Sequence, residues 1–291
     1  MKVLVLGGTG SIGASVVRAL LSRRYEVLGL ARSDSAADRL SLQGAQPVRG
    51  DIRWPDEWTD VAKSVDAVIQ VAGEFTADAG AVDRNLTSAL LRRLEGRTRS
   101  PPRAYIYTGG CWLYGNTADR VATEESAFDA PAEWAWSVEH LSLVLGASKV
   151  RGIVIHPAMV YERDGGVLAS FRDDLLAFGR VRVFGNENIR WPMVHRTDIG
   201  ELYALALERA PRGASYNGAA VDSITVGALA RAMARRAGAE TTPLVRSIDE
   251  GVAELGEWVR GFAIDQRMSG AKARRELQWL PVHTDPVADL S

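Results

Sequence analysis

Three glycines, Gly7, Gly10 and Gly13, follow the apolar run at residues 3–6 at intervals of three residues. Gly7 allows a tight turn out of a strand, and Gly10 removes the Cβ that would keep a pyrophosphate off the backbone. Gly13 lets a helix pack close to the sheet, and the N–H groups of that helix's first turn form an anion site. The pattern predicts a dinucleotide-binding turn rather than a glycine-rich turn without a ligand. Three further residues complete the predicted turn: Thr9, Ser11 and Ile12.

Arg32 and Ser33 are the first polar residues after the second predicted strand. They lie about 20 residues beyond the last glycine, where the adenine ribose of a dinucleotide is bound. A site for NAD usually places a carboxylate there for the ribose 2′-OH, whereas the planar fork of an arginine suits a 2′-phosphate. The sequence therefore predicts NADP(H). Asp34 keeps NAD(H) as an alternative, and a solvent-exposed arginine without a ligand is the third interpretation.

The elements that must position these residues alternate between strands and helices. Predicted strands cover residues 3–6, 26–31, 46–48, 65–73, 104–108 and 152–155, and predicted helices cover 14–23, 38–42, 81–94, 131–146, 197–208 and 226–236. A break at residues 100–102 precedes the fifth strand, and the segment 265–279 ends the ordered pattern. This alternation predicts an α/β fold with a doubly wound, Rossmann-type parallel sheet.

The chain of 291 residues has room for two parts. Residues 1–161 form the predicted dinucleotide-binding Rossmann domain. Residues 162–291, in which the periodicity is less regular, form a smaller region that mainly binds substrate. The sequence defines this boundary only approximately, and residues beyond 161 can return to the first domain.

Composition limits the partners and the location of the protein. The formal net charge of −1 gives no electrostatic attraction to a nucleic acid or an anionic membrane. A single cysteine, Cys111, excludes an internal disulfide and fits a reducing cytoplasm. The N-terminal apolar run ends at Gly7, too early for a signal peptide, and no apolar run approaches a membrane span. We therefore expect a cytoplasmic protein. The four histidines show no metal-ligand spacing, so we also expect no metal.

Several motifs together resemble those of the extended short-chain dehydrogenase/reductases, the NAD-dependent epimerase/dehydratase family. Residues 7–13 (G-G-T-G-S-I-G) are similar to its glycine fingerprint, and Tyr114-Gly115 resembles the Tyr-Gly that follows its fifth strand. The resemblance covers nearly the whole chain and implies further cofactor contacts. These are Asp51 and Ile52 at the adenine, Val71, Ala72 and Gly73 at the nicotinamide ribose, and Pro157 and Ala158 beside the nicotinamide.

The catalytic residues of that family are not found at the matching positions. The family uses Tyr-x-x-x-Lys, in which one helical turn places the lysine beside the tyrosine and lowers the pKa of the phenol. No tyrosine of this chain has a lysine four residues later. If Glu139 is the glutamate that follows the motif, Pro131 and Ala135 occupy the tyrosine and lysine positions, and Gly110 occupies that of the serine or threonine. The family's usual mechanism therefore cannot be carried over.

Other side chains are candidates to replace these groups. Tyr114 is the first choice as proton donor and His156 the second, although His156 could instead make the structural hydrogen bonds of the arginine that the family has there. Thr108 could hydrogen-bond a substrate carbonyl or be structural. The predicted pocket wall suits a flat or apolar substrate and consists of Trp112, Tyr114, Trp134 and Met159. Trp134 also continues a helical apolar stripe, which favours a role in packing or in a dimer.

Three functions remain open. The first is an NADP(H)-dependent oxidoreductase that acts on a small aromatic or apolar carbonyl, enone or imine with a non-standard proton donor. The second is a non-redox isomerase, lyase or cyclase that retains the dinucleotide fold. The third is a non-catalytic NADP(H)-binding sensor. The resemblance also implies a homodimer through the helices at residues 81–94 and 131–146.

Overall fold

The computed structural model describes residues 1–95, 102–163 and 165–290. The strands of this part of the chain are β1 (Lys2–Leu6), β2 (Glu26–Ala31), β3 (Gln46–Arg49), β4 (Ala67–Gln70), β5 (Ala104–Thr108), β6 (Arg151–Pro157), β7 (Met159–Glu162), β8 (Gly165–Gly166), β9 (Arg182–Phe184), β10 (Arg190–His195), β11 (Ala214–Gly218), β12 (Val221–Thr225) and β13 (Leu244–Arg246). Its helices are α1 (Ser11–Ser22), α2 (Asp34–Gln43), α3 (Ala79–Glu95), α4 (Ala135–Gly146), α5 (Ala169–Phe178), α6 (Arg196–Arg209), α7 (Val226–Arg236), α8 (Ile248–Leu255), α9 (Ala271–Leu277) and α10 (Pro286–Leu290).

A parallel sheet of the described residues has the strand order β11-β6-β5-β4-β1-β2-β3. Both faces of this sheet are buried, so β1 is a continuous apolar strand. Val3 and Val5 point into one core, and Leu4 and Leu6 point into the other. The α/β fold with a doubly wound sheet is confirmed.

Helices cover the two faces of the sheet. Helices α1 and α6 pack against each other on one face, where Val16, Val17 and Leu202 contribute to the core. Helices α3 and α4 pack against each other on the opposite face, through a core that includes Leu86 and Leu141. The carboxyl ends of β1, β4, β5 and β6 therefore open between these two layers, which is where ligands bind in open α/β folds.

The predicted elements agree well with the structure, apart from their ends. Strands β2 and β5 and helix α7 have the predicted bounds, whereas β4 is shorter than the predicted 65–73. Helix α4 begins at Ala135 instead of residue 131, because the chain makes a turn there in which Trp134 N donates to Pro131 O at 2.9 Å. Residues 100 and 101 of the predicted break lie outside the described residues. The ordered pattern does not end at residue 279, since α10 follows.

Residues after 161 also contribute to the parallel sheet. Strand β11 pairs with β6 at the edge of the parallel sheet, with Asn217 opposite His156. Strands β12, β10, β7 and β8 form a smaller mixed sheet, and β13 pairs with β9. The sequence did not predict β11, because its residues A-S-Y-N-G contain no apolar run.

Candidate functional site

The glycine turn between β1 and α1 has the geometry that the sequence predicts. Gly7 has φ +85°, and a Cβ at this position would come within 2.9 Å of Ala72 N. A Cβ at Gly13 would lie 2.0 Å from Gly7 O, so only glycine allows α1 to start this close to the turn. Gly10, by contrast, has an extended backbone, and a Cβ there would contact only Gly7 O, at 3.4 Å. That space is open to a ligand.

The first turn of α1 can accept an anion. The helix begins at Ser11, and its N-cap Gly10 provides no side-chain hydrogen bond. The first N–H groups of a helix have no partner within the helix, and the helix dipole makes this end positive. Ser11, Ile12 and the glycines on either side line the cavity described below. The turn therefore fits a pyrophosphate.

Arginines surround the end of β2, where the adenine ribose is expected. Arg32 follows β2 and is exposed, and Ser33 caps α2 by accepting a hydrogen bond from Ala36 N at 3.2 Å. The carboxylate of Asp34, the residue that kept NAD(H) open, pairs with Arg49 at 3.1 Å. Arg39 donates to the carbonyl of Thr9 at 2.5 Å, which joins α2 to the glycine turn. The sequence did not identify the two later arginines, because they come from α2 and β3.

Asp51 and Ile52 follow β3 and lie beside this region. Asp51 Oδ1 accepts a hydrogen bond from Arg53 N at 2.9 Å, and its carbonyl accepts one from Trp58 Nε1 at 2.7 Å. A Cβ at Gly50 would come within 2.5 Å of the Trp58 ring, so this glycine lets the indole pack on the strand end. Ile52 lines the cavity.

A cavity of about 450 Å³ extends from the glycine turn along the carboxyl ends of the strands. Its wall includes five of the residues that the sequence assigned to the nicotinamide end of a cofactor: Val71, Ala72, Gly73, Pro157 and Ala158. A Cβ at Gly73 would meet no atom within 4 Å, and the same holds at Gly110. Where a flat ring would lie, the wall of the cavity is therefore formed mainly by backbone atoms.

Aromatic side chains form the far wall of the cavity. Trp112 and Trp134 line it as predicted, with their ring centroids 4.7 Å apart. Trp136, which the sequence analysis did not place there, lines it as well and packs on Gly80, where a Cβ would lie 2.9 Å from Trp136 Cγ. Phe75 stands at the mouth with 71% of its surface exposed.

Met159 does not line the cavity. It is buried in the core, and its neighbour Val160 lines the cavity instead. The two residues lie on β7, where successive side chains point to opposite faces. The prediction that Met159 contacts the substrate is therefore wrong by one residue.

Thr108 lines the cavity, but its hydroxyl proton is already donated to another group. Its Oγ1 donates to the carbonyl of Gln70 at 2.5 Å and lies 2.6 Å from the hydroxyl of Tyr203. Because the threonine proton goes to Gln70, the tyrosine is the donor in the second bond. Thr108 thus joins β4, β5 and α6, and has no free proton for a substrate.

Tyr114 and His156 lie behind the cavity wall and do not line it. The Tyr114 hydroxyl donates to Asn217 Oδ1 at 2.8 Å, and burial raises the pKa of the phenol well above its usual range. His156 is fully buried beneath Gly109 and Gly110, and burial lowers the pKa of its imidazole to about 4. Neither side chain fits the role of proton donor, because neither reaches the space that a substrate could occupy.

A polar network on the α3 side of the cavity was missed by the sequence analysis. Asp83 lines the cavity and accepts hydrogen bonds from Gln70 Nε2 at 2.7 Å and from the Tyr107 hydroxyl at 2.8 Å. Its Oδ2 also lies 2.7 Å from His140 Nδ1. The sequence carried a signal for this network, because Asp83 interrupts an apolar face of α3 at helical spacing from Leu86.

The described residues contain no group of three or more histidine, cysteine, aspartate or glutamate side chains that could hold a metal ion. Within the same residue ranges, no helix is both long and apolar enough to cross a membrane.

The fold and the glycine turn define a protein with a dinucleotide site at the carboxyl end of a parallel sheet. Residues 3–219 match the NAD dependent epimerase/dehydratase family. The chain belongs to this family.

Similar proteins include both uncharacterized and named relatives. An uncharacterized protein of Schizosaccharomyces pombe is 26% identical over 298 residues, which cover 100% of this chain and 98% of that protein. The 2′-dehydrokanamycin reductase of Streptomyces kanamyceticus is 31% identical over 223 residues, 72% of this chain and 59% of the reductase. The crystal structure of the human epimerase family protein SDR39U1 with NADPH has a TM-score of 0.78 at 21% identity, covering 100% of this chain and 98% of that one.

Proposed function

We propose that the protein is an NADP(H)-dependent oxidoreductase that reduces a small aromatic or apolar carbonyl, enone or imine without the Tyr-Lys pair of its family. The observation that carries this proposal is the continuous cavity between the glycine turn and the aromatic wall of Trp112, Trp134 and Trp136. A relative of Streptomyces kanamyceticus is named as a reductase, and the human structure of the same fold was solved with NADPH. The named reductase supports the redox proposal, and the human structure supports NADPH as the cofactor.

The residues of this chain would hold the cofactor in three places. The backbone from Gly10 to Gly13 binds the pyrophosphate, and the open space above Gly10 is the cradle that a Cβ would fill. Arg32 would bind the 2′-phosphate, and the carboxylate of Asp34, which would suit a 2′-OH, pairs with Arg49 at the exposed surface. Residues 71–73 and 157–158 flank the nicotinamide. A bound dihydronicotinamide supplies a hydride to the substrate.

Few side chains of the cavity wall could donate a proton to a substrate oxygen. Among the described lining residues, the hydroxyl groups of Tyr107, Thr108 and Ser137 donate to Asp83, the Gln70 carbonyl and the Trp134 carbonyl. The remaining lining hydroxyl, that of Ser11, lies at the glycine turn, 3.5 Å from Glu162 Oε1. The Cys111 thiol is buried, which raises its pKa to about 12. A proton for an alkoxide product therefore comes from solvent, or the substrate requires none.

Two measurements on the purified protein test the proposal. Calorimetric titration should show tighter binding of NADPH than of NADH, by about 10-fold or more if a charge-assisted bond to the 2′-phosphate forms. Absorbance of NADPH should then fall when aromatic ketones, enones and imines are added. Equal binding of both cofactors would contradict the NADP(H) assignment. Tight binding of NADPH with no absorbance change for any compound would contradict the reductase and favour a sensor or a non-redox enzyme.

A further inference from the structure

Asp83 presents a carboxylate at the cavity wall. It accepts hydrogen bonds from Gln70 Nε2 at 2.7 Å and from the Tyr107 hydroxyl at 2.8 Å, and its Oδ2 lies 2.7 Å from His140 Nδ1. The two oxygens of a carboxylate offer about four lone-pair positions, and these contacts occupy three of them, so one position remains for a ligand. The three contacts fix the orientation of the carboxylate. One edge of it therefore stays available to the cavity in a defined direction.

Aromatic side chains line the same part of the cavity as this carboxylate, and its neighbour His140 lies behind the cavity wall. Trp136 packs on Gly80, one helical turn before Asp83, and its ring centroid lies 5.1 Å from that of His140. Among the described residues that line the cavity, none is a lysine, an arginine or a histidine. The other lining carboxylate, Glu74, pairs with Arg53 at 2.6 Å. Indole faces and a carboxylate together attract a cation.

The shortage of acid in the cavity points to the same kind of ligand. Reduction of a ketone produces an alkoxide that must take up a proton, and acid catalysis of such a step typically contributes about 10²–10⁴-fold. Reduction of an iminium ion needs no proton: the added hydride forms the new C–H bond, the C=N π electron pair moves to nitrogen, and a neutral amine leaves. A substrate that already carries a positive charge therefore needs no proton donor in the cavity.

We propose that the substrate is an aromatic iminium cation, held between Trp136 and Asp83 and reduced to its amine at the expense of NADPH. This inference rests on the proposed function for its redox step, but its binding part can be measured without cofactor.

The test uses two bicyclic probes of similar shape, the cation N-methyl-dihydroisoquinolinium and the neutral ketone α-tetralone. Both are titrated into the cofactor-free full chain, with tryptophan fluorescence and calorimetry as readouts. The cation should bind about 10- to 100-fold more tightly, as expected for an ion-paired contact with a carboxylate at the cavity wall. Equal or weaker binding of the cation to the unmodified protein would overturn the inference. Because this comparison needs no variant, it does not depend on how a substitution affects folding.

Two variants test whether Asp83 causes the preference for the cationic probe. Asp83→Asn keeps the size of the side chain and removes its charge, so the ratio of the two affinities should fall to near one. Glu139→Gln is the matched control, because Glu139 lies on the outer side of α4 in an exposed pair with Arg84. It should keep the full ratio. An undiminished ratio in a folded Asp83→Asn protein would overturn the assignment.

Turnover separates this inference from the proposed function. With NADPH, the iminium probe should be reduced and the ketone reduced much more slowly or not at all. Efficient reduction of the ketone with no preference for the cation would support a reductase and overturn the iminium assignment. Selective binding of the cation without NADPH binding would support the cation site and contradict the proposed function.

Discussion

Gly80 lies beneath the indole ring of Trp136, so that a Cβ at residue 80 would approach Trp136 Cγ to 2.9 Å. This contact joins the first turn of α3 to the first turn of α4 and fixes one side of the cavity. Alanine normally stabilises a helix by about 0.8–1.0 kcal/mol relative to glycine. At this position, however, the ring has to move.

We expect Gly80→Ala to displace Trp136 and to weaken binding of aromatic ligands by several-fold. The near-ultraviolet circular dichroism of the tryptophans should change with it. The control is Gly146→Ala at the end of α4, because a Cβ there would meet no atom within 4 Å. Identical tryptophan spectra for the Gly80 variant and the unmodified protein would contradict the prediction.

Arg32→Ala tests the cofactor preference. Loss of a charge-assisted contact to the 2′-phosphate should lower the affinity for NADPH by about one to two decades and leave that for NADH unchanged. Calorimetric titration with both cofactors measures the difference. Arg92→Ala, on the exposed side of α3, should affect neither cofactor. An unchanged NADPH affinity in the Arg32 variant would place the phosphate elsewhere.

Gly10→Val tests the phosphate turn. The backbone of Gly10 is extended, with φ −80°, so valine can adopt it without strain. The added side chain would occupy the space that a pyrophosphate needs, and dinucleotide binding should be lost while the far-ultraviolet circular dichroism is retained. Gly146→Val provides a substitution of the same kind outside the cavity. A folded Gly10 variant that binds NADPH normally would show that the dinucleotide lies elsewhere.

Tyr114→Phe should affect stability and leave the cofactor affinity unchanged. The variant removes the hydrogen bond to the fully buried Asn217, and an unsatisfied buried amide costs about 1–3 kcal/mol. Denaturant unfolding measures this loss. Tyr25→Phe is the control, because the bond from Tyr25 to Glu208 is at the exposed surface and should contribute much less. If Tyr114→Phe keeps full stability but loses turnover, the tyrosine acts in catalysis after all.

His156 should make the protein less stable in mild acid. Burial lowers its pKa from 6.5 to about 4, so below pH 6.5 the unfolded chain binds a proton that the folded chain does not. Stability is therefore lost as the pH falls from 6.5 towards 4, by about 3 kcal/mol in total. In His156→Gln this contribution is absent. Denaturant unfolding at pH 7.0 and 4.5 should show a smaller loss for the variant, and equal losses would contradict the assignment.

The sequence predicted the parts of the fold that depend on local patterns. Continuous apolar strands and the glycine turn predicted the parallel sheet and the start of α1, because each signal lies within one short segment. The polar strand β11 was missed, since it is defined by its pairing with β6 rather than by its own composition.

The site was harder to predict, because side-chain direction within a turn does not follow from sequence spacing. Trp112 and Tyr114 are two residues apart in the turn Cys111–Tyr114, yet the first lines the cavity and the second points to Asn217. Asp83 was missed for a different reason. Its three partners come from β4, β5 and α4, and only the folded chain brings them together.

The return of the chain to the edge of the parallel sheet has a practical consequence for anyone who wishes to divide this protein. A fragment ending at residue 161 would lack β11 and α6, leaving the edge of β6 unpaired and the apolar face of α1 in water. Such a fragment would aggregate rather than serve as a minimal cofactor-binding module. Expression trials, circular permutations and reporter insertions should therefore keep residues 1–218 in one piece and use the exposed turn at residues 237–242.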